Sequence, residues 1–149
     1  MISKTLLAIL GLICMTAATT LAQTTTDAVK LNEIQVIGTH NSYHLEPDKQ
    51  VMQLIKGVNA QVADSIAYSH KPIEEQLGRL GVRHFEWDLY ADPEGGLFAD
   101  PAARKLITDQ GDNPGPSHDP SGVLKKPGLK IIHSPDFDFL TTSLTFKQA

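Results

Sequence analysis

The 149-residue chain has one cysteine, Cys14, and it lies in an N-terminal segment that reads as removable. A chain without that segment can form no disulfide and no thiolate metal site, so packing, or packing with a metal on other ligands, must hold it together. Runs of basic residues are also missing. Lysine and arginine total 13 against 17 acids, a formal charge of −4. That excludes the concentrated cationic face a nucleic-acid partner needs, and strong electrostatic adhesion to anionic membranes. Any peripheral membrane contact has to be local. No apolar run reaches the roughly 18–20 residues of a membrane span. Internal repeats and low-complexity tracts are absent too.

What is present begins with residues 1–22, which have the pattern of a cleaved export signal: Lys4, an apolar core from Leu6 to Met15, and small residues at Thr20 and Ala22. Cleavage would take the charge to about −5 and deliver the chain to a secreted or periplasmic location. Residues 23–149 then form one unit. Its sequence stops at Thr145–Ala149, which reads as the opening of an amphipathic helix without a terminating glycine. The expectation is therefore an interrupted domain.

Hydrophobic patterning orders the elements. Glu33–His40 is a β-branched run closed by Gly38 and polar residues, which predicts a buried strand. Residues 50–64 predict one or two helical turns interrupted by Gly57 and Asn59. Pro72–Gly81 predicts a helix, with proline and acids in its first turn and glycine at its end. A second strand follows at Val82–Leu89 and a third at Leu129–His133. Between them, residues 92–128 are rich in Gly, Pro and Asp and predict a long surface insertion with a short helix near Pro101–Ile107. Strand, helix, strand, excursion, strand suggests parallel βα units.

Alternation along those strands picks out a chemical cluster. His40 and His133 each close an apolar strand, at the end where βα barrels build active sites. In the second strand Phe85, Trp87 and Leu89 form one face, while His84, Glu86 and Asp88 form the other. Two carboxylates on one interior face repel unless a cation lies between them. Glu86, Asp88 and the side-chain oxygen of Asn41 are hard donors suited to Ca²⁺ or Mg²⁺. A zinc set of His40, Asp88 and His133 is the alternative. Free histidines are suited to acid–base chemistry near neutral pH.

In order and placement, Ile37-Gly38-Thr39-His40-Asn41-Ser42-Tyr43, then Gly81 to Asp88, then Ile131-Ile132-His133-Ser134 resemble the motif series of the phosphoinositide-specific phospholipases C, most closely the bacterial calcium-dependent branch. The resemblance implies an α/β fold of the TIM (β/α)8 type, of which about three βα units are present here. It implies cleavage of a phosphatidylinositol-type phosphodiester by in-line attack of the inositol 2-hydroxyl, with diacylglycerol leaving. His40 would lie beside the phosphate, His133 would protonate the leaving oxygen, and Asn41, Glu86 and Asp88 would hold Ca²⁺. Glu86 is also a candidate proton acceptor. The chain departs from the family in two ways: the further acidic ligand would fall beyond Ala149, and the 92–128 excursion replaces a short link. Two other readings remain open, a glycerophosphodiester phosphodiesterase and a non-catalytic fragment. The former usually places arginine where Asn41 stands.

Overall fold

The structure, a computed structural model, describes residues 29–149. The export-signal expectation lies outside the described residues. The chain divides into two units, residues 1–35 and 36–149. Of the first, the described part holds a single 3₁₀ turn at Leu31–Glu33. All else below concerns the second unit.

Strand β1 is only Gly38–Thr39, and it pairs in parallel with β2, His84–Phe85. The long buried first strand predicted over Glu33–His40 is corrected. Glu33 falls in the 3₁₀ turn, and Val36 and Ile37 are exposed. The physical reason is a single neighbouring strand: the Ile37 carbonyl accepts from the Arg83 and His84 amides at 2.9 and 3.3 Å, with no second strand beyond it among the described residues.

Three helices cross from β1 to β2: α1 (Lys49–Val58), α2 (Ala60–Ser65) and α3 (Ile73–Gly78). The predicted interruption is real and has a mechanism. Asn59 takes an extended conformation, ending α1, and its Oδ1 accepts from the Gln61 and Val62 amides at 3.0 and 3.3 Å, starting α2. On α3 the buried Gln76 faces the loop after β1. Its Oε1 accepts from the Thr39 hydroxyl at 2.8 Å, and its Nε2 donates to the Ser42 carbonyl at 2.6 Å.

The expectation of one continuous second strand and a parallel third strand is also corrected. Strand order is broken at Glu86–Asp88, and β3 resumes at Leu89–Asp92. It pairs antiparallel with β4, Gly128–Ile131, in the register Leu89↔Ile131 to Asp92↔Gly128. The chain reverses straight after β3, where Asp92 Oδ1 accepts from the Gly95 amide at 2.8 Å and Gly95 has φ +83°. The excursion therefore leaves and re-enters at the same end, and β4 must run backwards along β3.

Nor does the excursion stay at the surface. It forms α4 (Ala102–Asp109), whose Ala103 and Ile107 join Val51 of α1, Ile132 and Phe139 in the hydrophobic core. Ile132 and Phe139 stand on either side of the segment that carries His133.

Candidate active site

Asn41 turns the chain out of β1. It takes the left-handed conformation at φ +47°, which asparagine tolerates better than most residues. In that conformation its amide donates to Glu86 Oε2 at 2.7 Å, its Nδ2 to the Tyr68 hydroxyl at 3.3 Å, and its Oδ1 lies 3.4 Å from the Tyr43 hydroxyl. Tyr43, fully buried, donates to Asp88 Oδ2 at 3.0 Å. Ser42 ties the two segments together. Its amide donates to the Glu86 carbonyl at 3.0 Å, and its hydroxyl accepts from the Glu86 amide at 2.9 Å. One network thus gathers Asn41, Glu86 and Asp88.

The two acids have no cationic partner. Among the described residues no lysine or arginine forms an ion pair with Glu86 or Asp88. The negative field shows on Tyr43: burial first, then the Asp88 charge and hydrogen bond, and then Glu86, hold its hydroxyl protonated far above the ordinary phenol range. An amide oxygen and two carboxylates around an uncompensated negative potential are the donors a hard divalent cation selects, so the residues present fit Ca²⁺.

His40 is exposed, and with Asn41 and His133 it lines a cleft of about 560 Å³ that also meets Tyr68 and His70. His70 Nε2 lies 2.9 Å from the His40 carbonyl oxygen and donates to it. Glu86 and Asp88 do not line this cleft; they stand behind Asn41 and Tyr43. The zinc alternative is not assembled: His40 and Asp88 do not converge with His133 on a common point. The one three-ligand cluster among the described residues is His44, His133 and Asp138.

Two members of that cluster escaped sequence reasoning. His44 reads from sequence as a surface or packing residue, yet it is fully buried, and Asp138 carries no motif. Asp138 Oδ2 accepts from His133 Nδ1 at 2.7 Å, and its two oxygens lie 2.9 and 3.0 Å from His44 Nε2. An acid five residues beyond a strand-end histidine was the only available signal. Arg83 donates to the Leu77 and Val82 carbonyls at 2.8 and 2.9 Å.

His133 also borders a second cleft, of about 440 Å³ and apolar, formed by Leu54, Ile55 and Val58 of α1, Val62 of α2, and Phe137. The two clefts share Ile66 and His133. A cleft carrying His40, Asn41, Tyr68 and His70 and an almost wholly apolar one thus share a wall at His133.

Comparison with known proteins adds one finding and two absences. No curated protein and no solved structure matches the chain. The profile of the family described as phosphoinositide phospholipase C, Ca²⁺-dependent, matches residues 29–149, most of the chain and all of the site. The chain belongs to the Ca²⁺-dependent phosphoinositide phospholipase C family.

Proposed function

We propose that the protein is a secreted phosphoric diester lyase or hydrolase acting on phosphatidylinositol-type lipids, with the inositol phosphate in the cleft that carries His40 and Asn41 and the lipid alcohol in the apolar cleft. The observation that carries this is the meeting of the two clefts at His133. A group that protonates a leaving alkoxide must stand where headgroup and lipid part. His40, which lines the same cleft, serves the phosphate and the attacking hydroxyl, and Glu86, bonded to the Asn41 amide and outside the cleft lining, is a second acceptor only for a hydroxyl that reaches past Asn41. Asn41, Glu86 and Asp88 would hold the calcium. Once bound, calcium neutralises phosphate charge and lowers the pKa of the attacking hydroxyl. In the barrel reading, β1, β2 and the helices between them are the opening of a TIM-type barrel, with the site at the C-terminal ends of its strands.

Turnover of phosphatidylinositol and of glycerophosphodiesters, each with and without a calcium chelator, tests the reading. Chelator-sensitive cleavage of the inositol lipid is expected, with His40→Ala and His133→Ala each lowering the rate by about 10²–10⁴-fold. Chelator-indifferent activity would remove the calcium assignment. A preference for glycerophosphodiesters would move the chain to the other phosphodiesterase class.

A further inference from the structure

We propose that Asp138 and His44 are positioning residues for His133, an assignment that rests on the proposed role of His133 as the leaving-group acid. A ring that must deliver a proton from one nitrogen needs the other nitrogen held, and hydrogen-bond logic shows how. His133 Nδ1 faces Asp138 Oδ2 at 2.7 Å, so Nδ1 carries a hydrogen and Nε2 is the nitrogen left for substrate. Side-chain exposure is 33 % for His133 and 4 % for Asp138. The acid is therefore hidden while the ring it holds reaches the clefts.

The buried acid is fixed in turn from behind. His44 Nδ1 lies 3.0 Å from the Tyr68 carbonyl oxygen, which can only accept, so Nδ1 must be protonated. Its Nε2 meets both Asp138 oxygens, so one proton lies between His44 and Asp138. The two rings stand edge to face, 5.9 Å apart. Tyr68, His44, Asp138 and His133 form one continuous chain that ends at the cleft.

The backbone holds both ends of this chain. Asp138 and Ser134 exchange amide–carbonyl hydrogen bonds of 2.9 and 3.0 Å, closing a tight loop that brings the acid back to His133. That loop is pinned by α4, whose Ala102 and Ala103 amides donate to Asp136 Oδ1 and the Asp136 carbonyl at 3.1 and 3.0 Å. The segment bearing His44 is tied to the chain after that loop: the Leu45 amide donates to the Leu140 carbonyl at 3.2 Å, and the Thr142 amide to the Tyr43 carbonyl at 2.8 Å.

In the step served, the attacking hydroxyl oxygen bonds to phosphorus as the bond from phosphorus to the lipid oxygen breaks. The hydroxyl proton passes to the base side, and His133, protonated on both nitrogens at the start of the step, gives its Nε2 proton to the departing oxygen and keeps the Nδ1 hydrogen that faces Asp138. A leaving group that needs no proton should be indifferent to Asp138.

The test compares phosphatidylinositol with an inositol p-nitrophenyl phosphodiester, whose leaving group departs as a stable anion. For Asp138→Asn we expect kcat on the lipid to fall about 10²-fold with KM within a few-fold, and the nitrophenyl ester to change less than about five-fold. His44→Gln should show the same split more weakly, and Asp138→Glu should recover part of the loss. Equal losses on both substrates, or a change confined to KM, would overturn the assignment. If the wild-type chain turns over neither ester, the functional reading fails, and ¹⁵N NMR of the histidine rings then decides the positioning claim alone. A wild-type His133 carrying its hydrogen on Nδ1 supports it, and the Nε2–H tautomer refutes it. Zinc retained in one-to-one ratio by these three side chains would also refute it.

Discussion

Calcium should stabilise the folded chain through Asn41, Glu86 and Asp88, and Asp88→Asn should remove most of that gain while costing little or nothing in a chelator. Without the ion, Glu86 has the Asn41 amide and Asp88 has the Tyr43 hydroxyl, but neither has a cation. Carboxylates two residues apart along an extended chain stand about 6–7 Å from each other. At an effective dielectric of about 20 they repel by roughly 2.5 kcal/mol, and partial exposure reduces that to about 1 kcal/mol. Replacing Asp88 by asparagine removes the repulsion and keeps an oxygen for the Tyr43 hydroxyl, at the cost of a weaker, uncharged hydrogen bond. In a chelator the variant should match the wild type or exceed it by up to about 1 kcal/mol.

Saturating calcium should invert the order. At 100 times its dissociation constant a ligand stabilises the folded state by about 2.7 kcal/mol, roughly 10 °C in Tm for a domain of this size. Losing one of three ligands, with an affinity loss of about 10²-fold, would leave the variant a gain of about 0.4 kcal/mol. Differential scanning calorimetry with calcium and with chelator measures all four values, and Asp112→Asn, at an exposed acid remote in sequence from the site, is the control. Equal calcium shifts in wild type and Asp88→Asn would refute the ligand assignment. A large loss for the variant in chelator would show instead that Asp88 is held by a structural partner.

Three further outcomes are expected. The Tyr43 hydroxyl has its pKa raised in the folded chain, so an unfolded tyrosine ionises first as pH climbs past about 10 and stability falls from there upward; absorbance at 295 nm should show one phenol that titrates only with unfolding. Lys130 is fully buried, with Nζ 3.7 Å from Asp92 Oδ2, and Asp92→Asn would leave a buried cation unpaired, costing about 3 kcal/mol by denaturant melts. A methyl group on Gly95 would stand 2.5 Å from the Lys125 carbonyl oxygen at a positive φ, so Gly95→Ala should cost about 2–4 kcal/mol in the same melts, whereas Gly57→Ala, in open space, should be neutral or stabilising.

The contrast between what the sequence disclosed and what it hid has a physical pattern. Patterns with a short period were legible: the helices between β1 and β2, the Asn59 break, and the parallel pairing of Gly38–Thr39 with His84–Phe85. So was the tension of Glu86 and Asp88 beside Trp87, because two acids flanking a large aromatic contradict a buried strand. The antiparallel return of β4 was hidden, since direction depends on where a 35-residue excursion re-enters and no local residue encodes that. His44 and Asp138 were hidden for a related reason. Each is an ordinary polar residue in a loop, 94 positions apart, and they become neighbours through the backbone bonds of Tyr43 and Leu45 to Thr142 and Leu140, with α4 holding the 134–138 loop. The excursion has the composition of a solvated loop, yet Ala103 and Ile107 enter the core, and the amides at the start of α4 hold Asp136. An insertion of this kind is not peripheral to the candidate site: through Asp136 it holds the loop that carries Asp138, and through Asp138 it holds the ring of His133.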